Sequence, residues 1–520
     1  MMMRPGRGSP LLLLGAVLLV AASLRLYKID QPLVDAFSWR QASTAMMADN
    51  FHQTRRNIFF PEVDWTGPGP NYQGREFQTV SYLSALLYPV LGVHDWIGRA
   101  VAVLFGLLGI VALFLLTRRV SGERHALLAA AVMAVLPGSI FVERSFLPDP
   151  AMVALVTTSL WLWVTFLQEE RERYLWLAGA VGAWGFCSKL PGLIAGLPMA
   201  YAALSLVGTR KLLTQTWMTR LGTLALLTLV PTAAYYLWAR HLSLSYPPYH
   251  FAGEGNWLWD HGLRAWLDEG YFLPLLARRF LGWIWTLPVL LLVLVGIAVR
   301  PPASAAAPWL FHFWLAGGVV FYLFGAKELV DNPWNFHLVN PAAAALAARG
   351  IMALSDFAAA RTRAAAAPVT TLLLLLVILG VGLRGLRWMY HPYGESSRQM
   401  GFALRQWSRP GDLVVTLAHD VGDPTAIRYS ERRGWVFPPA RAGEGWGALP
   451  ETPGESVRLL DSLRAEGADW LGIVEGRDGR IRNDTSGFGE YVRRTCPVRV
   501  QTAEWFICRL TPSPRPSPAR

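Results

Sequence analysis

Long apolar runs separated by short polar stretches fill the chain from about residue 11 to residue 386. Several reach the ~20 residues that an α-helix needs to cross a bilayer. Read in order, they predict eleven crossing helices, over about 11–27, 97–117, 126–141, 151–167, 175–187, 191–207, 221–239, 280–299, 308–325, 338–354 and 368–386. The first resembles a signal peptide. Its apolar run continues through Leu24 to Leu26, however, and no clear small-residue cleavage site precedes Asp30, so it reads as a retained helix. Residues 79–92 are also apolar, but they are only fourteen long and contain Pro89. The charge pattern is consistent only if this segment lies along the membrane surface without crossing.

That pattern comes from the arginines. Arg4 and Arg7 precede the first helix, Arg118, Arg119 and Arg124 follow the second, and Arg210, Lys211 and Arg220, then Arg300, then Arg361 and Arg363 mark later loops of the same parity. Short loops rich in Lys and Arg stay in the cytoplasm. The acidic and aromatic loops 28–78, 142–150, 240–278 and 326–337 then fall outside. Past residue 387 the long apolar runs stop, and strand-like and helix-like stretches such as GDLVVTL and SVRLLDSLRAEGADWLGIV alternate. Residues 395–510 read as a small soluble α/β domain outside the membrane, and 511–520 as a disordered tail. The predicted fold class is thus an all-α polytopic membrane domain over 1–386, with about 11 transmembrane helices and a small extracytoplasmic α/β C-terminal domain.

Composition agrees. The chain is 53% hydrophobic and 16% charged, where soluble domains carry about 25% charged residues. The net charge of +12 does not imply nucleic acid, because no long Lys/Arg run is present and helix orientation accounts for the arginines. Cys187 lies in an apolar segment. Cys496 and Cys508, twelve apart, could pair if their region is extracytoplasmic, although the spacing does not decide it. Asn483-Asp484-Thr485 matches a glycan-acceptor pattern that also arises by chance.

The outer loops gather most of the candidate chemistry. The first holds Asp35, Trp39, Arg40, Glu62, Asp64 and Glu76, the second Asp149, and the last Glu328, Asp331, Asn335 and His337. Lys189 sits in the turn between the fifth and sixth helices. Most loop carboxylates are simply solvated. Asp35 and Asp149, however, lie within a few residues of a membrane helix, where unpaired charge is costly. Lys189 between two apolar segments needs an anionic partner, and a lipid phosphate would serve.

Four segments together resemble the GT-C membrane glycosyltransferases of the protein O-mannosyltransferase and aminoarabinose-transferase superfamily. They are VDAFSWRQASTAMMADNF, FFPEVDWTGPGPNYQGREFQTVSYLSALLYPVLGVHDWIGR, RSFLPDPAM and GFCSKLPGL, with NPWNFHLVNP a weaker fifth. Their order and topology carry the resemblance, which covers roughly 25–350. It implies transfer of a sugar from a polyprenyl-phosphate donor to a lipid, polysaccharide or protein acceptor, at the outer face of the plasma (inner) membrane. By position, Asp35 matches the family's first-loop aspartate, expected to act as base, Asp149 the acid of the second outer loop, Glu76 the acid before the short apolar segment and Lys189 a basic position after the fifth helix. Many relatives carry an acidic pair after the first helix. Here Ala36 follows Asp35, so no cofactor is required by the pattern, and a divalent metal stays open. Phe336-His337 stands where relatives carry a tyrosine pair.

The chemistry is coherent. A carboxylate within reach of an acceptor hydroxyl or amine can take its proton. The phosphate leaving group needs cations more than an acid, and Arg40, Lys189 and His337 are the candidates. Trp39, Glu62, Asp64 and Trp65 are candidates for sugar or acceptor contact, and Tyr72, Trp257 and Trp259 for stacking, although a membrane-interface belt also explains such aromatics. A single attacking path implies inversion at the anomeric carbon, unlike the two-carboxylate glycosidase layout. Two other readings compete. A transporter or flippase of lipid-linked saccharides predicts ionisable groups inside helices and broken helices in matched halves. A non-catalytic scaffold predicts no donor turnover.

Overall fold

The computed structural model describes residues 9–251, 266, 272–325, 332–440, 449–475, 481–485 and 487–511. The stacking candidates Trp257 and Trp259, the loop acids Glu328 and Asp331 and the tail from 512 lie outside the described residues. The protein is mostly helical, and its contacts divide it into two units. One comprises 1–29, 98–236 and 253–389; the other comprises 30–97, 237–252 and 390–520.

The first unit is built from the apolar runs. Among the described residues, six helices are long and apolar enough to cross a membrane: Asp95–Ser121, Asp149–Glu169, Leu190–Val207, Gln215–Ser245, Pro333–Arg361 and Ala366–Met389. The bent pair Leu273–Ile284 and Leu287–Ala298 would make a seventh, while Pro10–Leu26 and Leu310–Phe324 are apolar but shorter. A protein with this many long apolar helices is a multi-pass membrane protein. Two of the expected helices are not continuous, and proline accounts for the breaks. The 126–141 run divides into Glu123–Val135 and Pro137–Val142, because Leu136, before Pro137, takes extended backbone angles (φ −67°, ψ 119°). The 280–299 run turns by 90° between Ile284 and Leu287. There Thr286 adopts φ +72° and Pro288 opens the next helix. The core is apolar and well filled: Trp163, Phe166, Trp314 and the alanine run Ala342–Ala348 of the Asn340–Arg361 helix are buried in it.

Ion pairs gather the polar helix ends of this unit. Arg119 pairs with Glu169 at 2.5 Å, Lys211 with Glu170 at 2.6 Å, Arg220 with Glu172 at 2.7 Å and Arg124 with Asp356 at 2.7 Å. These residues belong to the loops that the arginine pattern assigns to the cytoplasm.

The second unit contains a six-stranded sheet in the order β1-β3-β2-β4-β6-β5. The strands are β1 (Thr66–Gly67), β2 (Leu413–Leu417), β3 (Gly434–Val436), β4 (Ala468–Val474), β5 (Val498–Gln501) and β6 (Trp505–Arg509). β2 runs parallel to β3 and β4, while β1, β6 and β5 pair antiparallel with their neighbours. The edge strand β1 comes from the first outer loop, so residues 395–510 do not form this sheet alone. At the β2–β3 step the backbones approach closely, and a Cβ on Gly434 would lie 1.8 Å from the Val414 carbonyl oxygen. A disulfide joins Cys496 to Cys508, tying the end of the Gly487–Thr495 helix to β6.

Both faces of the sheet are covered. Leu460, Leu463, Phe488 and Tyr491 pack on one face with Val415, Leu471 and Ile473. On the other, Met400 and Leu404 meet Met46, Met47 and Phe51, which come from the first loop. These last three belong to a helix, Ser38–Gln53, that the expectation of an irregular loop over 28–78 misses. Twelve of its sixteen residues are buried, including Arg40, Gln41 and Asn50. No amphipathic stripe therefore marks it in the sequence. The Thr79–Leu91 helix follows, with Val80, Ser81, Ser84 and Tyr88 buried and Leu86, Leu87, Val90 and Leu91 exposed.

Candidate functional site

In the second unit, the chain leaves Asp30 and reaches the Ser38–Gln53 helix through Leu33, Val34 and Asp35. Phe37, at the helix N-terminus, takes a left-handed conformation (φ +67°), which costs a non-glycine residue energy and sets the turn. Asp35 is fully buried. Its Oδ1 accepts a 2.6 Å hydrogen bond from Gln41 Nε2, which also donates to the Ala36 carbonyl at 3.2 Å. One helical turn holds both partners, so the carboxylate orientation is fixed locally.

Arg40, on the same helix, donates from one Nη to both Glu76 carboxylate oxygens, at 2.8 and 2.9 Å. Both side chains are largely buried. His250 lies within electrostatic reach of Glu76 and Arg40, and burial lowers its pKa below the usual histidine value. Glu76 is thus a counter-charge to Arg40, and His250 is a neighbour marked beforehand only by its place in an aromatic loop. Trp39 is partly buried.

The other first-loop candidates take different places. Glu62 accepts from Arg433 Nη2 at 2.7 Å, and Asp64 lies 3.7 Å from the same guanidinium while accepting from Asn50 Nδ2 at 3.1 Å. These acids hold the loop to β3. Trp65 is 1% exposed inside the hydrophobic cluster with Met46 and Val63, so its faces are not available to a sugar. Tyr72 packs edge-on against Phe60 and Tyr246, with centroids 5.1 and 5.0 Å away. It joins an aromatic group that includes Trp238, whose indole donates to the Phe59 carbonyl at 2.7 Å.

The first unit holds its own polar set. Asp149 opens the Asp149–Glu169 helix, where a carboxylate suits the positive end of the helix dipole. Lys189, between the Glu172–Ser188 helix and a 3₁₀ turn over Leu190–Ala195, donates to Asp149 Oδ1 and Asn335 Oδ1, both at 2.7 Å. The anionic partner that Lys189 required is therefore, in part, a protein carboxylate. His337 is fully buried: its Nε2 lies 3.4 Å from Glu143 and its Nδ1 is 3.1 Å from Asn340 Nδ2. Glu143 also accepts from Arg25 Nε at 2.7 Å, and Asn340 Oδ1 accepts from Trp285 Nε1 at 2.9 Å. The Arg25–Glu143 pair escaped the loop-centred sequence reading. Arg25 was visible as a charge near the end of an apolar helix, and Glu143 beside Arg144 just after another.

Among the described residues, no three His, Cys, Asp or Glu side chains converge as metal ligands. Asp35 faces an amide, and Asp149 faces an ammonium that would compete with a metal ion. Asp35 and Asp149 are thus each engaged by a protein donor.

Comparison with known proteins agrees with the architecture. The family model for dolichyl-phosphate-mannose-protein mannosyltransferase matches residues 79–235. YkcB of Bacillus subtilis (strain 168), which carries a mannosyltransferase name, is 28% identical over 182 residues; the match spans 34% of this chain and 23% of that protein's length. The crystal structure of ArnT from Cupriavidus metallidurans in the apo state superposes with a TM-score of 0.62 at 15% identity, covering 96% of this chain and 98% of ArnT. ArnT bound to undecaprenyl phosphate gives 0.60 at 15% identity, over 97% and 98%. The oligosaccharyltransferase of Archaeoglobus fulgidus, in complex with Zn and sulfate, gives 0.57 at 14% identity, over 88% and 68%. The fold is the GT-C membrane fold. Within it, residues 79–235 are the stretch that resembles the mannosyltransferase family model.

Proposed function

We propose that this protein is an integral-membrane glycosyltransferase that moves a sugar from a polyprenyl-phosphate donor to a lipid, polysaccharide or protein acceptor, with Asp35 as the base. The observation that carries the reading is a fully buried carboxylate, oriented by Gln41, on the segment that also carries Arg40, the partner of Glu76. A structural neighbour supports the donor class: ArnT has been solved bound to undecaprenyl phosphate. The acceptor O–H or N–H gives its proton to the Asp35 carboxylate. The acceptor atom bonds to the anomeric carbon as the bond from that carbon to the phosphate oxygen breaks. Polyprenyl phosphate leaves with the electron pair, and a single displacement inverts the anomeric centre.

Arg40 is the cation proposed to bear the phosphate charge beside Asp35, and Lys189, in the first unit, is a separate candidate for that role. Among the described residues, Asp149 and Asn335 take two of the three donors on Lys189, leaving one N–H for a phosphate oxygen. Asp149 and Glu76 then set the charge and aim of these cations, acting as positioning acids. His337 and Trp65 have no part in the reading, and Glu62 and Asp64 serve through Arg433. Trp39 remains the aromatic candidate for the sugar.

The proposal includes the eleven-crossing arrangement, with the outer loops and residues 395–510 on the extracytoplasmic side of the inner membrane. The Cys496–Cys508 disulfide supports that side, because such bonds persist in oxidising compartments. The cytoplasmic-type ion-pair cluster of Arg119, Lys211 and Arg220 supports the opposite side for the other helix ends.

The test is purified protein against a panel of polyprenyl-phosphate sugars, with product and released polyprenyl phosphate measured. Asp35→Asn should lower turnover by at least about 10²–10⁴-fold, the typical worth of a general base, with an unchanged melting point. Wild-type rates in that variant would remove the mechanism. The buried Arg25–Glu143 pair and the broken helices are features a transporter reading would claim. A flippase would move donor across a liposome without cleaving it.

A further inference from the structure

The C-terminal part of the second unit touches the first loop directly. The short helix Thr425–Ser430 lies between β2 and β3 in sequence. Its start is fixed by Asp423, whose Oδ1 accepts from the Thr425 backbone N at 2.8 Å and its hydroxyl at 2.6 Å. Two consecutive residues on it reach the first loop. Arg428, with a side chain 7% exposed, places Nη1 2.7 Å from Asp95 Oδ1 and Nε 3.3 Å from Asp49 Oδ2. Tyr429 donates its hydroxyl to Asp95 Oδ2 at 2.5 Å and accepts from the Leu33 backbone N at 2.8 Å.

The geometry has a specific consequence. Leu33 is two residues before Asp35, and Asp49 lies near the far end of the helix that carries Arg40 and Gln41. Arg428 and Tyr429 therefore hold both ends of the segment bearing the base. Asp95, at the start of the Asp95–Ser121 helix, is shared by the two clamping residues. A third tie supports the same point: the Gly394 backbone N donates to the Val34 carbonyl at 2.8 Å, and a Cβ there would press on Ser38 Oγ at 3.1 Å. A buried arginine serving two carboxylates is a costly device for stability alone, since apolar packing of the same volume does as well. Its value here is placement.

We infer that Arg428 and Tyr429 are positioning residues that lock the Asp35–Arg40 segment in reactive geometry, so that the C-terminal region acts on catalysis through the first loop. The inference rests on the proposed glycosyltransferase reading for its kinetic part only. A displacement of ~1 Å at a reacting group can cost 10²-fold in rate.

The test uses Tyr429→Phe and Arg428→Gln in the full-length purified protein, with Arg428→Lys as the conservative partner. Hydrogen exchange at residues 33–41 is read by mass spectrometry, and donor turnover is read alongside it. In Tyr429→Phe, amides of 33–41 should exchange about tenfold faster, while peptides of the Asp149–Glu169 helix stay unchanged. Turnover should drop about 10–100-fold, with KM for the donor within about threefold, and Arg428→Lys should recover part of the loss that Arg428→Gln suffers. Unchanged exchange in Tyr429→Phe, or accelerated exchange with turnover within twofold of wild type, overturns the clamp. If Arg428→Gln does not fold, Tyr429→Phe alone decides. Absence of donor turnover in the wild-type protein would sink the glycosyltransferase reading; the exchange measurement would still report on the lock.

Discussion

At the scale of single residues, the distinction that matters is between charges that are paired and charges that are merely near a membrane. Lys189 and Asp149 are both buried, 8% and 1% exposed, and joined at 2.7 Å. Removing one partner of such a pair leaves an uncompensated buried charge, which costs about 3–5 kcal/mol. Lys189→Met should therefore lower the thermal midpoint substantially, and Lys189→Met combined with Asp149→Leu should restore most of it. Neither variant should transfer sugar. A stable, active double variant would show that the pair is only structural. Asp35, Arg40, Asp149 and Lys189 could be selected from sequence because charge next to apolar runs is rare and needs a reason. Glu62 and Asp64 could not be separated from them, because their partner Arg433 lies some 370 positions away and local spacing carries no trace of it.

At the scale of elements, hydrophobic periodicity located the long helices well but not their breaks. A run such as 280–299 is equally apolar whether straight or bent, and the 90° turn follows from Thr286 and Pro288. The Ser38–Gln53 helix was hidden for the opposite reason: it is buried all round, so polar residues face protein and no stripe forms. The strands β1, β3 and β5 are two, three and four residues long, too short for alternation to register. Close helix packing makes a separate prediction. A Cβ on Gly296 would sit 1.9 Å from the Leu346 carbonyl oxygen, and one on Gly350 2.3 Å from that of Leu292, so the Leu287–Ala298 and Asn340–Arg361 helices meet backbone to backbone. Gly296→Val should force them apart and lose several kcal/mol, as overpacking and broken small-residue contacts do. Gly222→Ala, with nothing within 4 Å, should gain up to about 1 kcal/mol. Equal thermal midpoints for the two variants would refute the close contact.

At the scale of the whole molecule, the sheet-bearing second unit should respond to pH, because three of its buried carboxylates are held above the usual carboxylate range. Burial raises Asp49, Asp64 and Asp423 to about 6. Each binds a proton more readily folded than unfolded. Each therefore contributes stability that is complete below its unfolded value near 4 and is lost as pH rises through about 6. His250 opposes them, since its lowered pKa costs stability as pH falls below the unfolded value of about 6.5. Three acids outweigh one histidine, so unfolding of the second unit should occur at a higher temperature at pH 5.5 than at pH 7.5, with a net gain on the order of 2 kcal/mol. The measurement is thermal unfolding of the purified protein with exchange read peptide by peptide, comparing β2 and β4 with the Asp149–Glu169 helix, which carries none of these groups. Asparagine at all three positions keeps the Asp423 cap and the shape of the side chains while removing the titration, and should flatten the pH response of β2 and β4. A midpoint that falls on acidification, or a triple variant that keeps the wild-type slope, would place the pH-sensitive groups elsewhere in the chain.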